Sequence, residues 1–231
     1  MPSAPDLRIT VNPWTSTAHL LKSLYAEPRL WDGMVIVSWF WLAGAVVLSL
    51  LPALIKGVVG GTEGVVTLCL AIFAIGIAVG SLFAAQLSHV RPNLALVPIG
   101  AILMGVMGLD LSWVIGTTTP AVDLAPLSFV MSWTGLHMVI DFALFAFGGG
   151  LFVVPAFAAV QAWSAPSERA RVIAAGNILQ AAFMVVGSLF VAGLQAALDA
   201  ERHKNAALTT EVDRLKRDTL NPSASTEPES L

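Results

Sequence analysis

Residues 34–55, MVIVSWFWLAGAVVLSLLPALI, hold no charged side chain in twenty-two consecutive positions. At about 1.5 Å per residue a helix of that length measures about 33 Å, against a hydrocarbon core of about 30 Å. Asp32 closes the run on one side and Lys56 on the other. Inside a bilayer every backbone N–H must find its partner within the segment, and a helix does this at least cost. Only Ser38 and Ser49 are polar within the run, and a serine hydroxyl can donate to a carbonyl of the preceding turn.

Four more apolar runs follow, and the predicted spans are 34–55, 65–87, 94–115, 135–163 and 172–198. Composition agrees: 56% of the chain is hydrophobic and 12% charged, where soluble domains average about 25% charged. Such a chain has too little polar surface to cover itself in water. The fold class read from this is all-α, a polytopic membrane protein with about five transmembrane helices. The net charge of −3 and the lack of a basic stripe argue against nucleic acid, leaving membrane lipid as the surrounding partner. No cleavable signal peptide is visible in the first thirty residues.

Three regions are expected. Residues 1–32 read as a linker with a short interfacial helix near 16–26, where Thr15, Ser16 and Thr17 offer N-caps and Leu20, Leu21, Leu24 and Tyr25 share a face. Residues 33–198 form the transmembrane part. Residues 199–231 are a polar tail, helical over 201–220 and disordered over the Pro/Ser/Glu-rich end. Arg8, Lys22 and Arg29 precede the first span, His89 and Arg91 follow the second, and Arg169 and Arg171 follow the fourth. The other two loops carry only Lys56. The positive-inside rule puts the basic loops in the cytoplasm. It then conflicts with the tail, whose Arg202, Lys204, Arg214, Lys216 and Arg217 would lie outside after five spans.

Within the spans, Gly76 and Gly80 form a small-xxx-small pattern that admits a neighbouring helix. Gly148, Gly149, Gly150 and Pro155 predict a kink or close packing in the fourth span. Ionisable groups in a membrane are costly and point to function. Asp110 lies late in the third span and Asp141 early in the fourth, both about 9 Å from the outer boundary. His137 and Asp141 share a helix face, and a His–Asp pair can relay protons or hold a polar head group. Asn177 and Gln180 share a face of the fifth span, to hydrogen-bond between helices or to line a polar path. Arg91, Arg169 and Arg171 are candidates for lipid phosphate or for latching helices, beside simple anchoring.

Enzyme chemistry finds no inventory here. There is no phosphate loop, no serine nucleophile in a strand–turn–helix setting and no histidine-rich metal set. His19, His89, His137 and His203 are scattered, and Cys69 stands alone in an apolar run. No cofactor and no metal are expected.

Several blocks in order carry a resemblance: Asn12-Pro13-Trp14-Thr15, Ser38-Trp39-Phe40-Trp41, the stretch 70–81, Val97-Pro98-Ile99-Gly100-Ala101, Gly150-Leu151-Phe152-Val153-Val154-Pro155 and the stretch 169–179. Over about residues 10–195 the chain resembles the second half of a major facilitator superfamily transporter. It is most similar to bacterial lysophospholipid transporters, some of which are fused to an acyltransferase and an acyl–acyl-carrier-protein synthetase. The resemblance implies helices seven to eleven of a twelve-helix carrier in the bacterial inner membrane. It implies translocation of a lysophospholipid or other amphiphile by alternating access, with a six-helix N-terminal half as partner chain or fused domain. The first six helices and the twelfth have no counterpart here, so the chain is expected to be incomplete alone. A missing twelfth helix would also explain the sidedness conflict. The alternatives are a membrane anchor or assembly module acting through its tail, and a non-functional fragment.

Overall fold

The computed structural model describes residues 12–88, 91–119 and 121–220. Arg8, His89 and the Pro/Ser/Glu-rich end at 221–231 lie outside them. The described residues are helical, with no strand and one isolated bridge between Gly61 and Leu124. Five helices are long and apolar enough to cross a membrane. The chain forms two compact units, residues 1–188 and 189–231.

Helix α1 runs Pro13–Tyr25. It starts three residues before the expected helix because Asn12, not Thr15 to Thr17, is its cap. The Asn12 side chain accepts from the Trp14 N–H, and Pro13 follows in the first turn, where its missing N–H costs nothing. Helix α2 spans Pro28–Leu54 and begins six residues before the apolar run, Pro28 again setting the first turn. Ser38 donates to the Met34 carbonyl at 2.7 Å. Beyond Pro52 the helix widens into a π turn, Ile55–Val59, ended by Gly60 at φ +76°. A side chain at Gly60 would also run into the Ala121 carbonyl, so both conformation and space require glycine.

Helix α3 is Glu63–Ser88, α4 is Leu96–Thr117 and α6 is Trp133–Trp163. Between α4 and α6 the chain makes a short helix the sequence reading missed, α5, Pro126–Met131. Six residues are too few for apolar periodicity to show. Its Phe129 is fully buried, and Thr62 N–H and Leu124 N–H donate to Leu124 and Gly60 carbonyls, closing this end of the bundle. Helix α7 is Arg169–Leu220, one element that takes in both the fifth expected span and the 201–220 stretch read as helical.

Helix α6 is the hub of the first unit. Gly80 of α3 faces the Phe147 carbonyl of α6, and Gly150 of α6 would place a Cβ 2.6 Å from the Ile77 carbonyl. Gly100 of α4 abuts the Gly148 carbonyl, while Gly149 meets the ring of Phe40 on α2. Pairings 76/143, 80/147 and 84/151 rise together, so α3 runs parallel to α6. Pairings 100/148 and 110/137 run oppositely, so α4 is antiparallel to it. Successive long helices thus alternate in direction. One end of the unit carries Arg29, Arg91, Arg169 and Arg171, and the other carries Lys56, Glu63, Asp110 and His137.

The outward faces are apolar. Ile75, Val79, Leu82 and Phe83 on α3 and Ile99, Ile102, Val106, Leu109 and Trp113 on α4 are all exposed. Contiguous faces of that kind are unfavourable in water and suited to lipid. Cys69 is buried in the core with Val65, Met138 and Phe142. In the second unit the helix carries charged residues from Asp199 onward, with ion pairs Asp199–Arg202 and Glu201–Lys204.

Candidate functional site

The close glycine crossing of α4 on α6 brings the two helices into register at Asp110. His137 Nε2 lies 3.0 Å from Asp110 Oδ2 and donates to it. The same nitrogen lies 3.7 Å from Asp141 Oδ2, too far for a hydrogen bond. His137 and Asp141 are one helical turn apart, as their spacing predicts, while Asp110 joins them from 27 residues away. No periodicity in one helix could have shown that third member.

The three groups differ in access. The side chain of Asp110 is 35% exposed and that of Asp141 only 3%. Asp141 is not solvated, contrary to what its depth alone allowed: it is buried, as are Met138 and Phe142 on the same turns of α6. Its Oδ2 is buried with no hydrogen-bond donor among the described residues. A recess of about 370 Å³ opens beside the cluster, lined also by Met107, Trp133, Leu136, Ile140 and Leu144. Two carboxylates in so apolar a setting repel one another strongly, and a cation or proton between them offsets that.

Asn177 and Gln180 lie elsewhere, in a second recess of about 510 Å³ formed by α2, α6 and α7. Its walls are Val37, Trp41, Val153, Val154, Phe157 and Ala158, with Gln161 as a third amide. Gln180 is 9% exposed and its Nε2 has no acceptor, so it does not bond across to a neighbouring helix. Asn177 is exposed. The five path candidates therefore divide between two recesses at opposite ends of α6. Gln161 was missed because it stands in the last turn of its span, where polar residues are ordinary.

Two of the three candidate arginines are engaged in the fold. Arg169 Nε donates to the Gln161 carbonyl at the end of α6, 3.0 Å away, which satisfies a carbonyl the helix leaves open. Arg171 pairs with Glu168 at 3.0 Å and, with Glu27, Leu20 and Leu24, lines a small recess under α1. Arg91 is exposed in the turn after α3. Arg29, not singled out from the sequence, stacks on Trp163 at 4.9 Å. The glycines Gly76, Gly80, Gly148 and Gly150 and the buried Pro155 all lie on contact faces, and α6 continues through Pro155 unbroken.

The fold and these two recesses define an all-helical protein with five helices of membrane-spanning length and apolarity. Compared with protein-family models, with curated proteins and with solved structures, the chain matches none.

Proposed function

We propose that this chain is one wall of a membrane carrier for amphiphiles, of the major facilitator type, acting in the bacterial inner membrane. The observation that carries the reading is the α2–α6–α7 recess, an apolar trough with three amides at its edge and one buried amide nitrogen without a partner. An acyl chain fits such walls, and an ester or phosphate oxygen of a head group would accept from Gln180. Lysophospholipid, the substrate class the sequence resemblance implies, has both parts. In alternating access a second six-helix bundle closes the opposite wall and the two rock about the bound lipid. That bundle is a partner chain or another part of the same polypeptide. The process needs no covalent chemistry and no cofactor.

The test is uptake of a fluorescent lysophospholipid by proteoliposomes. Vesicles holding the chain with a six-helix N-terminal half should take up the probe, and vesicles holding the chain alone should not. Gln180→Leu should slow uptake about tenfold, the loss that follows when a polar recognition group is removed. No uptake with the second bundle present, or unchanged uptake by the variant, would overturn the reading.

A second reading, a membrane anchor that assembles through its tail, is favoured by one feature of the second unit. Leu208, Val212 and Leu215 form an apolar stripe, exposed by 58%, 48% and 56%. The 4–3 spacing is that of a coiled-coil seam. The occupant this fits is a second copy. In a Cys69→Ser background, Val212→Cys should give a disulfide-linked dimer on mild oxidation, and a monomer would dismiss it.

A further inference from the structure

The cluster at the other end of α6 has the arrangement of a coordination sphere. We propose that Asp110, His137 and Asp141 bind a divalent transition-metal ion of the zinc or manganese kind. The ligands are His137 Nε2 and one oxygen from each carboxylate.

Three observations carry this. First, the ligand atoms all lie within 4.8 Å of one another, and His137 Nε2 is 3.0 and 3.7 Å from the two carboxylate oxygens. Ligands about 2.1 Å from a metal ion stand about 3.0–3.5 Å apart when adjacent, so little movement is needed to close on one. Second, Asp141 Oδ2 is buried, makes no hydrogen bond and lies 3.7 Å from the imidazole nitrogen. A buried carboxylate oxygen without a donor is costly, and a cation at that point would satisfy it. Third, the ligands' outer side is open: Asp110 and His137 are each about one-third exposed, and the adjoining recess leaves room for water in the remaining coordination positions.

The donor set narrows the ion. One imidazole with two carboxylates suits zinc, manganese or cobalt better than calcium or magnesium, which prefer all-oxygen shells. On binding, Nε2 gives up its hydrogen bond to Asp110 and the ring proton is carried on Nδ1. The two negative charges balance the ion, so the site is neutral when filled. This goes beyond the transport reading and does not rest on it.

The experiment uses the full chain in detergent, stripped with chelator and titrated with Co²⁺, read by visible absorption and by displacement with Zn²⁺. One equivalent should bind. Asp141→Asn and Asp110→Asn should each weaken binding at least about tenfold, as loss of groups around metal sites does, and His137→Ala should abolish it. Equal affinity in wild type and variants would place the metal elsewhere on the chain and overturn the proposal, as would no binding at millimolar Co²⁺. Should a variant lose its helical circular dichroism, X-ray absorption of the zinc-loaded wild type decides. A shell with one imidazole and oxygens upholds the site, and two or more imidazoles overturn it. Because no readout involves lipid uptake, failure here leaves the carrier reading standing, and the reverse holds.

Discussion

Helices α6 and α7 are both apolar enough to span a bilayer, yet 56% of the most apolar stretch of α6 is buried against 11% for α7. The difference lies in what their small residues meet. Along α6 two of the three consecutive glycines face backbone: Gly148 meets Gly100, and Gly150 sits against Ile77, Gly80 and Ser81, while Gly149 meets the Phe40 ring. In the first unit, the glycines of α7 have more room. A Cβ added at Gly176 would lie 2.5 Å from the sulfur of the flexible Met34 side chain, and one at Gly187 would lie 3.2 Å from Leu42 Cγ and 3.3 Å from its carbonyl. Hydropathy says that a helix leaves water. It does not say whether the helix exchanges water for protein or for lipid, and close-packed small residues decide that.

The sharpest way to break the comparison is Gly80→Ala. Its new methyl would strike the Phe147 carbonyl, a backbone atom that cannot step aside. We expect a loss of about 2 kcal/mol or more, measured by denaturant titration in micelles. A wild-type midpoint would mean that α3 and α6 are not packed backbone to backbone. Gly176→Ala on α7 should cost less, about 1 kcal/mol or under, because the flexible Met34 side chain can shift. Equal losses at the two glycines would erase the distinction drawn here.

Asp141→Asn is expected to be neutral or stabilising by up to about 1 kcal/mol in the presence of chelator, since it replaces a buried carboxylate oxygen that makes no hydrogen bond with an uncharged amide. A large destabilisation would show that the carboxylate has a structural partner, and the same titration reads it. Smallest of all, Val186→Ala on α7, where Val186 is 60% exposed, should move the midpoint by no more than about 0.5 kcal/mol. If the chain is one wall of a carrier, the same substitution should matter more when a second bundle is present, and thermal shifts with and without that bundle would measure the gain.

Much of the architecture could be read from residue order. Each expected span holds one long helix, and the ends differ by small steps where caps and prolines act locally, as at Asn12 and Pro28. The π turn after Pro52 and the helix Pro126–Met131 escaped notice, because short irregular elements leave no periodic trace. The site was half legible. The four-residue spacing of His137 and Asp141 states that they share a face. That Asp110 completes the cluster, that Gln161 joins Asn177 and Gln180, and that these two groups lie in separate recesses depend on how helices cross.

By itself the sequence determined which segments become long apolar helices and where polar groups interrupt them, because chain hydropathy and backbone pairing act along the chain. Only the tertiary structure decided which helix became the hub and which side chains meet across 27 residues or more. Those outcomes are set by the fit of glycine faces against neighbouring backbone, a property of pairs of surfaces that no single segment carries.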